Sequence, residues 1–234
     1  MKYLTITNYG MIEFCKNAIQ SFKNISNETI HVGCLDEQSK NELENIDNVS
    51  SVLINYVPCP SNHEKWSTVN FRKITQNKFP FILSFLEKEN DILYFDNDVS
   101  FKKNPTDYLK LNENEIMIQS DLPGTMYCTG FVFFKNTKNT IELINKTIKK
   151  NNTEQNKKNY KMGDQLSFIH EANIFLKKHK NILTVLPSEL FPNGDKLIKN
   201  KYDKEHMYIG HANYVIGKEN KKKLLLEKNL WFLK

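Results

Sequence analysis

The chain has 234 residues, 39% of them hydrophobic and 26% charged, a balance that supports a buried core and excludes a disordered chain. Its length suits one α/β domain spanning residues 1–234. The formal charge is +6 and the pI near 8.9, yet the lysines are scattered among Asp, Glu and Asn, so nucleic acid is not an expected partner. No run approaches the roughly 18 apolar residues a membrane span needs. The opening Met1–Thr7 is too short an apolar run for a signal peptide. Cys15, Cys34, Cys59 and Cys128 form no CxxC or other ligand spacing, and Cys34 and Cys128 lie in apolar runs as buried thiols. The expectation is a cytoplasmic protein without disulfides.

Strand and helix signals alternate through the first half. Tyr3 to Thr7 reads as a strand that turns at Asn8-Tyr9-Gly10, and Ile12, Cys15, Ile19 and Phe22 mark a helix over 12–22. Thr29 to Leu35 is a second strand, Glu37 to Ile46 a short helix, and Ser51 to Val57 a strand stopped by Pro58 and Pro60. Residues 69–86 read as a helix in two pieces, interrupted by Pro80. Ile92-Leu93-Tyr94-Phe95 is the continuous apolar run of a strand buried on both faces. This order predicts an α/β fold with a mostly parallel central sheet. Farther on, Ile116 to Gln119, Phe131 to Phe134 and Ile182 to Leu186 read as strands. Thr140 to Ile148, 163–178 and 218–229 read as helices, and the polar stretch Lys149 to Lys161 as a mobile surface loop.

Tyr94-Phe95-Asp96-Asn97-Asp98-Val99 is the sharpest local feature. Two carboxylates one residue apart end a buried strand, where open α/β sheets gather ligands. Burying two like charges is costly unless a cation relieves the repulsion, and oxygen ligands suit Mg²⁺ or Mn²⁺. The alternative is a turn in which Asp and Asn bond their own backbone.

The run 92–99 followed by Asn104-Pro105 resembles the metal-binding segment of nucleotide-diphospho-sugar transferases. These have the GT-A (Rossmann-like) fold, and the similarity is to retaining families of the glycogenin and bacterial galactosyltransferase type and the plant xylosyltransferase type. Further motifs come in that family's order. Cys128-Thr129-Gly130-Phe131 is similar to its "N-x-G" strand, with Thr129 or Cys128 where Asn is usual. Gly163-Asp164-Gln165 matches its DQ motif, and Leu186-Pro187 with Phe191-Pro192-Asn193-Gly194 a late loop. His211-Ala212-Asn213, Gly217, Lys221 and Trp231 resemble its closing "H-x-N…G…K…W" signature.

The resemblance implies a metal-dependent transfer of a sugar, with retention, from a nucleoside-diphosphate sugar (UDP first among them) to a hydroxyl of a glycan, glycolipid or protein. Metal ligands would be Asp96, Asp98 and His211, the ion Mn²⁺ or Mg²⁺. Asp164 and Gln165 would face the reacting carbon as catalytic residues. The donor would be held by Thr5, Thr7, Asn8, Asp36, Lys78, Asn97, Asp121, Thr129, Gly130, Asn213, Gly217 and Lys221. Within this set, Lys221 neutralises the departing diphosphate and Gly217 allows close backbone approach. Plainer readings stand beside these: Asp164 as a helix N-cap, Lys78 as a surface helix residue, Asp121 as a turn residue, His211 as a structural histidine. Residues 149–161 lead into Gly163 and would either close over the donor or have no role. Two rival functions remain, a non-catalytic nucleotide-sugar-binding module and a haloacid-dehalogenase-like phosphatase. Against the latter, the acidic motif lies mid-chain with no Lys plus acidic-pair motif after it.

Overall fold

The computed structural model describes residues 1–122, 126–155 and 163–234. β1 (Lys2–Thr7), α1 (Ile12–Lys23), β2 (Ile30–Cys34), α2 (Glu37–Leu43), β3 (Val49–Leu53), α3 (Val69–Thr75), α4 (Lys78–Leu86) and β4 (Ile92–Phe95) alternate as expected. Then come β5 (Val99–Phe101), α5 (Thr106–Lys110), β6 (Ile116–Leu122), β7 (Met126–Phe134), α6 (Lys138–Gln155) and α7 (Asp164–Phe175). β8 (Leu183–Val185), α8 (Gly194–Ile198), β9 (Ile209–His211) and α9 (Lys218–Glu227) complete the chain.

Seven strands form a sheet in the order β3-β2-β1-β4-β7-β6-β8. Every pairing is parallel except those of β7 with its two neighbours. Chain order runs outward from β1 through β2 and β3, then returns to place β4 on β1's other side. That reversal sets a topological switch point at the carboxyl ends of β1 and β4, the usual place for a ligand in an open α/β sheet. Alternate residues pack opposite faces. Tyr3, Leu93, Phe95, Phe131 and Phe133 join Cys15, Ile19 and Phe22 of α1. Leu4, Tyr94, Val132 and Phe134 join Phe79 and Ile82 of α4, Leu143 of α6 and Phe168 of α7. Helices thus cover both faces, which is why β4 carries no charged residue.

Two short strands escaped the sequence pattern, and they matter most for the site. β5 and β9 pair antiparallel, with Val99 opposite His211. Because β5 starts one residue after Asp98, this pairing brings His211 to the acidic turn across more than a hundred residues of chain. The β6–β7 register also slips: Ile118 pairs with Val132, but Gln119 pairs with Cys128. The intervening Thr129, Gly130 and Phe131 have no partner in that ladder. Phe131 still pairs with Phe95 of β4, and Thr129 and Gly130 lie beyond the end of β4, a bulge that re-aims them toward the acidic turn.

Three expectations are corrected. The predicted loop at 149–161 is helical through residue 155 as the end of α6, and residues 156–161 lie outside the described residues. Its buried stripe is Thr140, Leu143, Ile144, Thr147 and Asn151, so helical spacing continues through small polar residues that an apolar pattern does not register. The break between α3 and α4 falls at Gln76–Asn77, and Pro80 sits in the first turn of α4, where its missing N–H costs little. The third strand ends at Leu53, short of Val57. Cys15, Cys34, Cys59 and Cys128 are all free thiols. Among the described residues, no helix is long and apolar enough to cross a membrane.

Candidate active site

The turn between β4 and β5 is held from below. Asp96 N–H donates to the Gly130 carbonyl (2.8 Å), Val99 N–H to the Asp96 carbonyl (3.1 Å) and Ala212 N–H to the Asp98 carbonyl (2.9 Å). Asn97, between the two acids, turns back to the sheet: its amide donates to Thr7 Oγ1 (3.0 Å) and its carbonyl accepts from Thr5 Oγ1 (3.1 Å). Asp96, Asp98 and His211 then present ligand atoms within 4.8 Å of one another. His211 Nε2 lies 3.2 Å from Asp98 Oδ1, and Lys221 from the first turns of α9 pairs with Asp98 Oδ2. Burial opposes charge on Asp98, but Lys221 and His211 outweigh it and hold the carboxyl well below the usual range. For His211, burial acts against the proton, while Asp98 and then Cys128 raise its pKa to about 10.

These residues fit a divalent cation. Two carboxylates and an imidazole are a recognised donor set for one. Space is reserved beside them: a Cβ on Gly130 would lie 2.5 Å from His211 Cε1 and 2.6 Å from Asp96 Oδ2. Only glycine leaves the three ligand groups free to converge.

A second network adjoins the first. Lys78, the first residue of α4, is only 3% exposed. Its Nζ lies 2.8 Å from Asp164 Oδ2 and 3.1 Å from Asp96 Oδ1, and it donates to Thr129 O and Oγ1 at 3.3 Å. Burial disfavours the ammonium, but Asp164 and Asp96 raise its pKa above the ordinary lysine range. Asp164 responds in kind: burial raises its pKa, and Lys78, Thr75 and Thr129 more than reverse this, leaving it lowered. Thr129 Oγ1 donates to Asp164 Oδ2 (3.0 Å), and Thr129 N–H to Gln165 Oε1 (3.3 Å). Gln165 Nε2 donates to Asp121 Oδ2 (2.8 Å), and Asn213 Nδ2 to Asp121 Oδ1 (2.9 Å). Among the described residues, four carboxylates, Asp96, Asp98, Asp121 and Asp164, thus face Lys78, Lys221 and the His211 imidazole. A divalent cation that displaces the His211 proton would balance their charge.

The plainer readings of Asp164 and Lys78 fail here. Asp164 is not an N-cap; Gly163 holds that position and Asp164 is buried one residue inside α7. Lys78 is buried between carboxylates, not on a surface. Asn8 Nδ2 donates to the Pro60 and Asn62 carbonyls, fixing the segment after β3 over the end of β1. Asp36 has both oxygens engaged, one capping α2 through Ser39 N–H (2.7 Å), the other accepting Tyr9 N–H (2.8 Å). Gly217 does not meet closely packed protein, since a Cβ there would touch only Asn220 Nδ2 at 3.9 Å. Its requirement is the backbone, φ +87°, where other residues are strained. Trp231 packs edge-on against Phe14 and anchors the C-terminal segment.

Sequence reasoning missed several contributors. Tyr94 OH donates to Asp96 Oδ1 (3.0 Å), and its neighbours on the sheet face gave the position an apolar character that hid this. In the late loop that the resemblance had marked, Asn193 donates to the Ser120 and Asp121 carbonyls, while Gly194 N–H donates to Asn213 Oδ1 (2.7 Å). A Cβ on Gly194 would collide with the Asn213 carbonyl, which accounts for that glycine. Gln119, on β6, contacts His211 through its side-chain oxygen.

The fold is of the GT-A type, and Asp96, Asp98 and His211 form a candidate DxD-type cation site in it. The family model for nucleotide-diphospho-sugar transferases matches residues 26–225, and the chain belongs to that family. A UDP-galactose:fucoside alpha-3-galactosyltransferase of Dictyostelium discoideum is 24% identical, over 99% of this chain and 43% of that protein. UDP-D-xylose:L-fucose alpha-1,3-D-xylosyltransferase 3 of Arabidopsis thaliana is 26% identical, over 78% of this chain and 53% of that protein. The chain therefore spans about half the length of the relatives it matches. Among solved structures, the galactosyltransferase LgtC, in complex with donor and acceptor sugar analogs, is 14% identical with a TM-score of 0.62, covering 100% of this chain and 97% of that one. The glycosyltransferase GlyE of Streptococcus pneumoniae gives 18% identity and a TM-score of 0.62, covering 99% and 60%. At these identities the structural likeness speaks for the fold.

Proposed function

We propose that this chain, as a single catalytic domain, transfers a sugar from a UDP-sugar to an acceptor hydroxyl with retention, using Mn²⁺ held by Asp96, Asp98 and His211. The observation that carries the reading is the convergence of those three side chains at the carboxyl end of β4, with Lys221 beside them and a glycine keeping the space open. Mn²⁺ is preferred over Mg²⁺ because one donor is an imidazole and Mg²⁺ gives up water reluctantly. When bound, the cation supplies positive charge to the donor diphosphate and its leaving oxygen.

The chain's own groups do the rest. Lys221, at the start of α9, adds a cation to the leaving side. Thr5, Thr7 and Asn97 hold the acidic turn in place; Asn8 and Asp36 shape the end of β1 and the loop around it, where the nucleotide base is placed in this reading. Asp121, oriented by Gln165 and Asn213, receives sugar hydroxyls. Asp164 stays ionised beside Lys78 and Thr129, and with Gln165 stabilises positive charge developing at the anomeric carbon. Because Lys78 and Thr129 both hold Asp164 Oδ2, charge stabilisation suits this carboxylate better than covalent attack.

The two relatives above take UDP-sugars and fucose-type acceptors to α-3 products by name. This supports UDP-galactose and UDP-xylose as the first donors, a fucoside as the first acceptor, and retention, since those donors are themselves α-linked. The four free thiols support a reducing compartment, the cytoplasm. The test is a panel of nucleotide sugars with Mn²⁺ or EDTA, with and without fucosides, scoring nucleoside diphosphate and glycoside. Metal-dependent release from one donor, abolished by Asp98→Ala, supports the proposal. Phosphate release from monoesters would favour a phosphatase, and donor binding without products a binding module.

A further inference from the structure

We infer that Gln119 is a positioning residue for the metal site: it keeps the proton of His211 on Nδ1 and so commits Nε2 to the cation. This rests on reading Asp96, Asp98 and His211 as metal ligands. Gln119 lies on β6, 1% exposed, at the register slip opposite Cys128. Its Oε1 lies 2.7 Å from His211 Nδ1, and its Nε2 donates to the Phe191 carbonyl at 3.0 Å.

The orientation of the amide follows from its partners. A backbone carbonyl only accepts, so the nitrogen of Gln119 must face Phe191. Turning the amide over would set two oxygens against each other at that distance and leave both buried. With the nitrogen fixed, the oxygen faces His211, and an amide oxygen only accepts. The hydrogen between them therefore belongs to Nδ1. Nε2, on the far side of the ring beside Asp98 and Gly130, is the nitrogen left to bind metal.

The surroundings reinforce this. Cys128 Sγ is 3.9 Å from the same Nδ1, where its S–H would otherwise donate to an unprotonated ring nitrogen. Gln119 removes that option. The His211 backbone is tied to the same loop, its N–H donating to the Pro192 carbonyl at 3.1 Å. Residues 191–192 thus orient His211 twice, directly through the main chain and through Gln119. Both ends of this buried amide are therefore spent on placing the histidine.

The test compares Gln119→Met, similar in size but lacking the acceptor, with Gln119→Glu, whose buried carboxyl keeps an acceptor for Nδ1 and, protonated on its other oxygen, a donor for the Phe191 carbonyl. Mn²⁺ affinity is measured by electron paramagnetic resonance without donor, alongside thermal unfolding, with Asp98→Ala as control. Gln119→Met is expected to weaken Mn²⁺ binding by about 10–100-fold while the folded protein persists, with Gln119→Glu recovering most of the loss. Equal affinity in wild type and Gln119→Met overturns the inference and leaves the metal site standing. So does a glutamate variant as weak as the methionine one. Wild type that binds no Mn²⁺ overturns the metal site and this inference together. If Gln119→Met does not fold, nitrogen NMR of wild-type His211 loaded with Zn²⁺ decides: a proton on Nδ1 supports the assignment, and a proton on Nε2 overturns it.

Discussion

Lys78 offers the most demanding test of the buried network, because its loss strands two carboxylates at once. Its ammonium lies 2.8 Å from Asp164 and 3.1 Å from Asp96. At an effective dielectric of about 20, those separations correspond to attractions of about 6 and 5 kcal/mol. Burying Lys78 and Asp164, with Asp96 partly exposed and so screened, offsets much of this, so the net worth of the cluster is small, while removal of one partner is not. Lys78→Met should destabilise by about 3–5 kcal/mol, the typical cost of an uncompensated buried charge. At about 2–4 °C per kcal/mol for a chain of this size, the midpoint falls by roughly 6–20 °C in calorimetry. Lys78→Met combined with Asp164→Asn should recover part of the loss, because the neutral amide needs no cation; the two changes should couple by at least about 1 kcal/mol. A Lys78→Met protein within about 1 kcal/mol of wild type, or strict additivity in the double mutant, would refute the reasoning.

The same pair sets a pH dependence. Lys78 has a folded pKa above its ordinary 10.5, so its contribution is complete below that pH and is lost as pH rises beyond it. Asp164 has a folded pKa below its ordinary 3.8, so its contribution is present above that pH and is lost on acidification. Urea midpoints across pH should fall at both ends, and Lys78→Met should flatten the alkaline arm. Gly130→Ala should weaken Mn²⁺ binding at least about tenfold with the fold retained, because the new methyl enters the ligand space; unchanged affinity in a metal titration would contradict that placement. His211 is held protonated by Asp98 against the effect of burial, to a pKa of about 10, so metal uptake near neutral pH should release close to one proton. Calorimetry in buffers of different ionisation enthalpy reads this directly, and no buffer dependence would contradict it. Gly217→Ala should cost about 1–2 kcal/mol in urea unfolding, the penalty for forcing a side chain into φ +87°.

The central strand was legible because β4 is buried on both faces and ends abruptly in acids, as few strands other than those at a ligand site do. The alternation of the first half followed from ordinary amphipathic spacing. What stayed hidden was short or polar. β5 and β9 have three residues each, too few for a period to declare itself, yet their pairing is what delivers His211. The end of α6 buries Thr147 and Asn151 in place of apolar residues, so its stripe disappears from a hydrophobic pattern. Lys78 looked like a solvent residue by type alone. The apolar character of KFPFILSFL all round the helix was the available sign that α4 is enclosed, and that a lysine within it needs a partner. Gln119 carried a similar sign, a lone amide ending the apolar run Ile116-Met117-Ile118.

The most direct measurement is anomalous diffraction at the manganese edge from crystals grown with Mn²⁺ and UDP. The metal-site assignment predicts one strong peak bounded by Asp96, Asp98 and His211 Nε2, with the diphosphate completing the coordination and Lys221 turned from Asp98 toward it. A peak elsewhere, or UDP bound with no metal among these three side chains, would contradict it.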